Sequence, residues 1–190
     1  MRVRPTVYLY DIDGTLISSG GAGRRAVEGA FAERHGRADA CRGFSFAGMT
    51  DRAIARRALV GLGFSETGAA TEAAIGALLD TYLALLEVEV DKAGDYRVHD
   101  GISASLEALS AREAQGAAAI GLGTGNVERG ARLKLARVGL AERFAFGGFG
   151  CDAEDRAELL ATGAERGAER LGRSRAESAS SDAEIPSWTR

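Results

Sequence analysis

The stretch that most limits what this chain can become is Val7-Tyr8-Leu9-Tyr10-Asp11-Ile12-Asp13-Gly14-Thr15-Leu16. Aliphatic and aromatic residues of high β-propensity run into two carboxylates and a glycine, the pattern of a buried strand that stops at a turn. Side chains alternate along extended backbone, so Asp11 and Asp13 emerge on the same side. Two like charges at the rim of an apolar strand repel unless a cation or a proton offsets them. The pair therefore calls for a chemical explanation.

Behind this strand lies Ile17-Ser18-Ser19-Gly20-Gly21-Ala22-Gly23, a turn, and then a block in which only helices are expected. Apolar residues recur at helical spacing over 24–35, 52–60, 66–75 and 76–90, the last with Leu78, Leu79, Tyr82, Leu83 and Leu86 as its stripe. Thr50 and Asp51 end a loop and can cap the second of these helices. From Ile102 the pattern changes to alternation: a helix over 102–111, the small-residue strand 117–123 ending in Thr124-Gly125-Asn126, a helix over 127–138, a short strand over 144–149 and a last helix over 155–171. Strands alternating with helices predict a parallel α/β sheet, with residues 17–97 inserted as a helical unit after its first strand. Residues 173–190 are polar, carry no period, and are expected to be poorly ordered.

Charge narrows the function classes. The 190 residues hold 24 Lys and Arg against 27 Asp and Glu, a net charge of −3, with the arginines interspersed among acids, so neither nucleic acid nor an anionic membrane is an expected partner. Lys92 and Lys134 are the two lysines. Cys41 and Cys151 lack metal-ligand spacing and read as free thiols of a reducing cytoplasm. No apolar run reaches the roughly 20 residues of a membrane span. His35 and His99 stand alone in the sequence.

Ligands of open α/β sheets bind beyond the carboxyl ends of strands. If the strands before Asp11 and Thr124 are neighbours, two carboxylates, a hydroxyl and the amides near Gly14 and Gly125 converge. Amides and hydroxyl then hold phosphate oxygens, a divalent cation offsets charge, and a carboxylate attacks in line.

On these motifs the chain resembles the haloacid dehalogenase (HAD) superfamily, phosphoglycolate-phosphatase-like, up to Leu171. Asp11-Ile12-Asp13-Gly14-Thr15-Leu16 matches its first motif, Leu122-Gly123-Thr124-Gly125-Asn126 its second, Phe46-Ala47-Gly48-Met49-Thr50-Asp51 a cap signature, and Val98-His99-Asp100-Gly101-Ile102 the return into the core. The resemblance implies a Rossmannoid core over 1–16 and 98–172, a helical cap over 17–97, and hydrolysis of a small phosphorylated metabolite through an aspartyl-phosphate. It makes Asp11 the nucleophile and Asp13 the acid/base, with Asp11 and the main-chain carbonyl of Asp13 as Mg²⁺ ligands, Thr124 catalytic, and Gly14, Gly125, Asn126 and Thr50 touching substrate. Gly48 and Asp51 also face the substrate on this reading. An acid at position 13 suits protonation of a leaving alkoxide, which carbon–halogen cleavage does not need.

The family's third motif supplies a lysine. Lys134 lies far along its helix, on the order of 15 Å from the strand end, and Arg156 stands nearer the matching loop, so both are candidates. The fourth motif, a strand followed by Gly-Asp-x-x-x-Asp, has no counterpart beyond Asp182 and Glu184, which makes the expected core C-terminally incomplete and weak Mg²⁺ binding the consequence. For one choice of codons, Glu184 to Thr189 read one base earlier spells Gly-Asp-Thr-Leu-Leu-Asp, which suggests an out-of-frame tail. The alternative function is then a catalytically impaired phosphate-binding remnant.

Overall fold

The computed structural model describes the backbone of residues 4–182 and the side chains of residues 4–172. Residues 184–189, on which the reading-frame argument rests, lie outside the described residues. Three parallel strands form the central sheet in the order β1 (Thr6–Tyr10), β4 (Ala118–Gly123), β5 (Gly147–Gly148). Val7 pairs with Ala119 and Tyr10 with Leu122, which brings the carboxyl ends of β1 and β4 level.

Alternation along β1 and β4 explains how the layers stack. Val7 and Leu9 face α6 (Arg156–Asp182), whereas Tyr8 and Tyr10 reach α4 (Ile102–Ala114), meeting the Arg112 guanidinium at 2.6 Å and the Ser105 hydroxyl at 2.9 Å. On β4, Ile120 and Leu122 join a core with Leu106, Leu135 and Phe144, while Gly121 and Gly123 point the other way. The glycines let α6 approach the sheet backbone to backbone: a Cβ at Gly163 would stand 2.8 Å from the Gly148 amide nitrogen. No helix among the described residues is long and apolar enough to cross a membrane.

Between β1 and α4 the chain builds a second packed unit. β2 (Ile17–Ser19) leaves the sheet region and β3 (Tyr96–Val98) returns to it, paired antiparallel, and between them run α1 (Ala22–His35), α2 (Asp51–Gly61) and α3 (Ala69–Lys92). Phe31, Leu59, Ile75, Tyr82 and Leu86 are buried in its own core. Each large apolar side chain so buried contributes about 1.5–3 kcal/mol against the entropy of ordering the chain.

The elements differ from the sequence reading in four places. The β2–β3 ribbon was not expected in a block read as purely helical; three residues on each side pair without any alternating pattern long enough to announce them. Helices expected over 66–75 and 76–90 are one, α3, because Gly76 costs only about 1 kcal/mol in a helix whose stripe on both sides is packed. The strand expected over 144–149 shrinks to Gly147–Gly148, preceded by a 3₁₀ turn at Ala141–Arg143 that buries Phe144 instead. Finally, α6 runs to Asp182, well into the stretch expected to be irregular from Arg173, as its many Ala, Arg and Glu residues favour.

Candidate active site

β1 ends at Tyr10 and β4 at Gly123, so Asp11 and Thr124 begin two adjacent turns on the same edge. The first turn is tight: Leu16 and Ile17 amides donate to the Ile12 carbonyl, and Gly14 takes φ +78°, which a side chain would disfavour. Asp13 is thereby turned back toward the second loop.

Each carboxylate meets a cation. Asp11 Oδ2 accepts from Arg156 Nη2 at 2.6 Å and its Oδ1 from the Ile12 amide at 2.9 Å. Asp13 Oδ2 accepts from Lys134 Nζ at 2.7 Å and Asn126 Nδ2 at 3.0 Å, and its Oδ1 from the Ser19 hydroxyl at 3.0 Å. Lys134 also donates to Asn126 Oδ1 at 2.6 Å, and Asn126 Nδ2 donates to Thr124 Oγ1 at 2.8 Å. Lys134 and Arg156 are thus not alternatives; they serve different acids.

Lys134 is 4 % exposed and its Nζ lies 2.7 Å from Asp13 Oδ2, which overturns its placement about 15 Å away. The helix α5 (Glu128–Ala136) starts only at Glu128, leaving Lys134 in its second turn, and helical side chains lean toward the N-terminus, so the long stem points back at the strand ends. Partial burial opposes ionisation of Asp13, but the Lys134 ammonium overrides it, and with Asn126 and Ser19 it holds the carboxyl below its usual value.

These groups line a cavity of about 300 Å³ that also contains Gly125. Its other wall comes from the helical block, through Arg24, Val27, Phe46, Met49, Ile54 and Tyr82. The Arg24 guanidinium lies 4.0 Å from the centre of the Phe46 ring. Gly48 and Asp51 reach the cavity, but Gly14 and Thr50 do not line it. Thr50 is fully buried and instead caps α2, accepting from the Ala53 amide at 3.1 Å. Ser19, Arg24 and Tyr82 are additions that the sequence did not single out. Tyr82 sits on a stripe indistinguishable from core, and Ser19 in a turn rich in similar residues. Neither histidine lines the cavity; His35 lies between Phe31, tilted against it, and Phe64, edge to face.

The two walls meet through backbone. The Asp51 amide donates to the Gly125 carbonyl at 2.8 Å, and a Cβ on Gly125 would run into the Met49 carbonyl and Thr50. The Asp51 carboxylate accepts from the Val127 amide at 2.9 Å. Burial pushes its pKa up to about 6, against the pull of Lys134 and of the Val127 amide. An acid with a native pKa above its unfolded value takes up a proton on folding between roughly pH 4 and 6, so stability falls as pH rises through that window. Asp51→Asn keeps an acceptor for the Val127 amide and carries no charge. It is expected to match the wild type near pH 4 and to exceed it by about 2 kcal/mol above pH 7, read from urea unfolding at several pH values.

Asp11 and Asp13 are the residues that would hold a metal ion; no cluster of three His, Cys, Asp or Glu with metal-ligand geometry occurs among the described residues. The Asp11 carboxylate and the main-chain carbonyl of Asp13 are hard oxygen donors and fit Mg²⁺, which commonly binds through one or two carboxylates and completes its shell with water and substrate phosphate.

The haloacid dehalogenase-like hydrolase family matches residues 5–179, and the chain belongs to that family. No curated protein matches. Among solved structures, the chain is similar to a predicted phosphatase from Clostridium acetobutylicum, at 18 % identity and a TM-score of 0.57, covering 86 % of this chain and 70 % of that one. A predicted phosphoglycolate phosphatase from Haemophilus somnus 129PT matches at 16 % identity and a TM-score of 0.49, over 76 % of this chain and 62 % of that one. At 18 % identity the likeness to the Clostridium acetobutylicum protein is one of fold.

Proposed function

We propose that this chain is a Mg²⁺-dependent phosphomonoesterase acting on a small phosphorylated metabolite, with α1–α3 as a cap over the sheet. The observation that carries it is the convergence of Asp11, Asp13, Thr124, Asn126, Lys134 and Arg156 at the carboxyl ends of two adjacent strands. Thr124 and the amides beside Gly125 hold phosphoryl oxygens, and Lys134 and Arg156 offset their charge. Asp11 and the Asp13 main-chain carbonyl would hold Mg²⁺, which would supply further charge compensation there. An Asp11 oxygen attacks phosphorus while the bond to the leaving oxygen breaks, and Asp13 gives that oxygen its proton. Water then attacks the aspartyl-phosphate and returns a proton to Asp13, releasing phosphate and the Asp11 carboxylate.

Asp13 is ionised beside Lys134, the form that accepts the proton of water. The incoming phosphate dianion raises its pKa toward the form that protonates the alcohol. The cavity of about 300 Å³ favours a small leaving group.

A second reading is phosphate binding without turnover, favoured by the closed pairing of both acids with cations. Hydrolysis of p-nitrophenyl phosphate with added Mg²⁺, and its disappearance on chelation with EDTA, is the expected result for the enzyme. Retained phosphate binding with no Mg²⁺-dependent hydrolysis would select the second reading.

A further inference from the structure

Arg156 stands in the first turn of α6, and the segment that leads into it is tied to the helical block rather than to the sheet alone. Two residues before Arg156, the Glu154 carboxylate takes a bidentate contact from Arg56 of α2, Nε to Oε2 at 2.9 Å and Nη2 to Oε1 at 2.6 Å. Arg52, one turn earlier on α2, reaches the same carboxylate at 3.5 Å. Glu72 of α3 accepts from Nη2 of both arginines at 2.5 Å, joining them and Glu154 in one network. The Thr50 hydroxyl donates to the Glu154 carbonyl at 3.4 Å. Next in sequence, the Asp155 carboxylate accepts from the Ala157 and Glu158 amides and so starts α6.

Planar, two-point pairing of a guanidinium with a carboxylate fixes orientation as well as distance. Side chains in this network are 20–45 % exposed, so its worth as plain stability is small. Its placement is the informative part: it spans from cap helices to the residue two positions ahead of the guanidinium that holds Asp11.

We propose that Arg56 and Glu154 are positioning residues that couple the seating of the cap to the placement of Arg156 on Asp11. With the cap seated, Glu154 is drawn to α2 and Arg156 reaches the Asp11 carboxylate. When the cap lifts, the Arg56–Glu154 pair parts, the 152–156 segment loosens, and Arg156 withdraws. The charge opposite Asp11 is thereby complete only over a closed cavity. The kinetic side of this inference rests on the phosphatase reading; the structural side does not.

The test uses the full chain with Glu154→Gln, Arg56→Gln and the double variant. Two readouts are taken: p-nitrophenyl phosphate kinetics with Mg²⁺, and amide hydrogen exchange over residues 152–158. Each single variant is expected to lower kcat roughly tenfold with little change in KM, and the double variant to be no worse than either single, as coupled residues behave. The 152–158 amides should exchange faster in all three. Independent, multiplicative losses, or wild-type kcat with unchanged exchange, would overturn the coupling. A wild type that hydrolyses nothing refutes the phosphatase reading instead, and unaltered exchange in the variants then refutes the clamp by itself.

Discussion

Asp11→Asn is expected to reduce hydrolysis of an aryl phosphate to the buffer background, a loss on the order of 10⁶-fold if removal of this nucleophile behaves like that of other covalent enzymes. The amide is nearly isosteric and its one oxygen can keep the Ile12 contact, while its NH2 faces the Arg156 guanidinium as a second donor; that exposed pair is lost at small cost, so folding should be retained. Far-UV circular dichroism and a urea melt check that, and a phosphate-binding measurement shows whether the cavity survives. The comparison isolates the nucleophile because the surrounding donors stay in place. A variant that keeps the wild-type rate would mean that Asp11 forms no bond to phosphorus.

Lys134→Met should lower both stability and rate. The substitution preserves most of the stem's volume but strips the ammonium from between Asp13 and Asn126, where Lys134 is 4 % exposed. Breaking a fully buried pair costs about 3–5 kcal/mol. Asp13 remains partly open to solvent, its side chain 42 % exposed, so a smaller loss of about 1–3 kcal/mol is expected. The sign with pH follows from Asp13. Its native pKa is depressed, so the stabilisation it gains is fully present above the unfolded carboxylate range and disappears as pH falls through the native value. The deficit of the variant in urea melts should accordingly shrink below about pH 4. Hydrolysis should fall on the order of 10²- to 10³-fold, as for loss of one preorganised donor to a developing charge. An unchanged rate would remove the ammonium from the reaction.

The legible part of this molecule was the part governed by short-range pattern. Asp11 and Asp13 declared themselves because an apolar strand has no other reason to end in two acids, and the Thr124 to Asn126 turn because a run of small residues needs a buried setting. The alternation of elements then placed both at one sheet edge. Lys134 could be named but not located, since its position depends on where α5 begins and on the lean of a long side chain. Thr50 was assigned to substrate on resemblance, while its buried hydroxyl serves a helix cap and a carbonyl across the interface. The Arg56–Glu154 pair left no trace in the sequence at all. Its members are 98 positions apart and each, alone, is an ordinary charged surface residue. Contacts between distant segments are set by tertiary packing, and no local period encodes them.

The cavity has two walls of different origin. Groups at the sheet-edge wall hang from the ends of β1 and β4, from α5 and from the start of α6; Asp13, Lys134, Asn126 and Thr124 form one hydrogen-bonded chain and Asp11 with Arg156 a separate pair, so a change at one disturbs its partners. The facing wall of Arg24, Val27, Phe46, Met49 and Ile54 belongs to helices and a loop whose side chains answer mainly to packing. Variation is therefore tolerated unequally on the two sides of the cavity. One side is constrained by its own wiring, and the other can be redrawn residue by residue, so a chain of this architecture can change what it selects while leaving untouched the chemistry it performs.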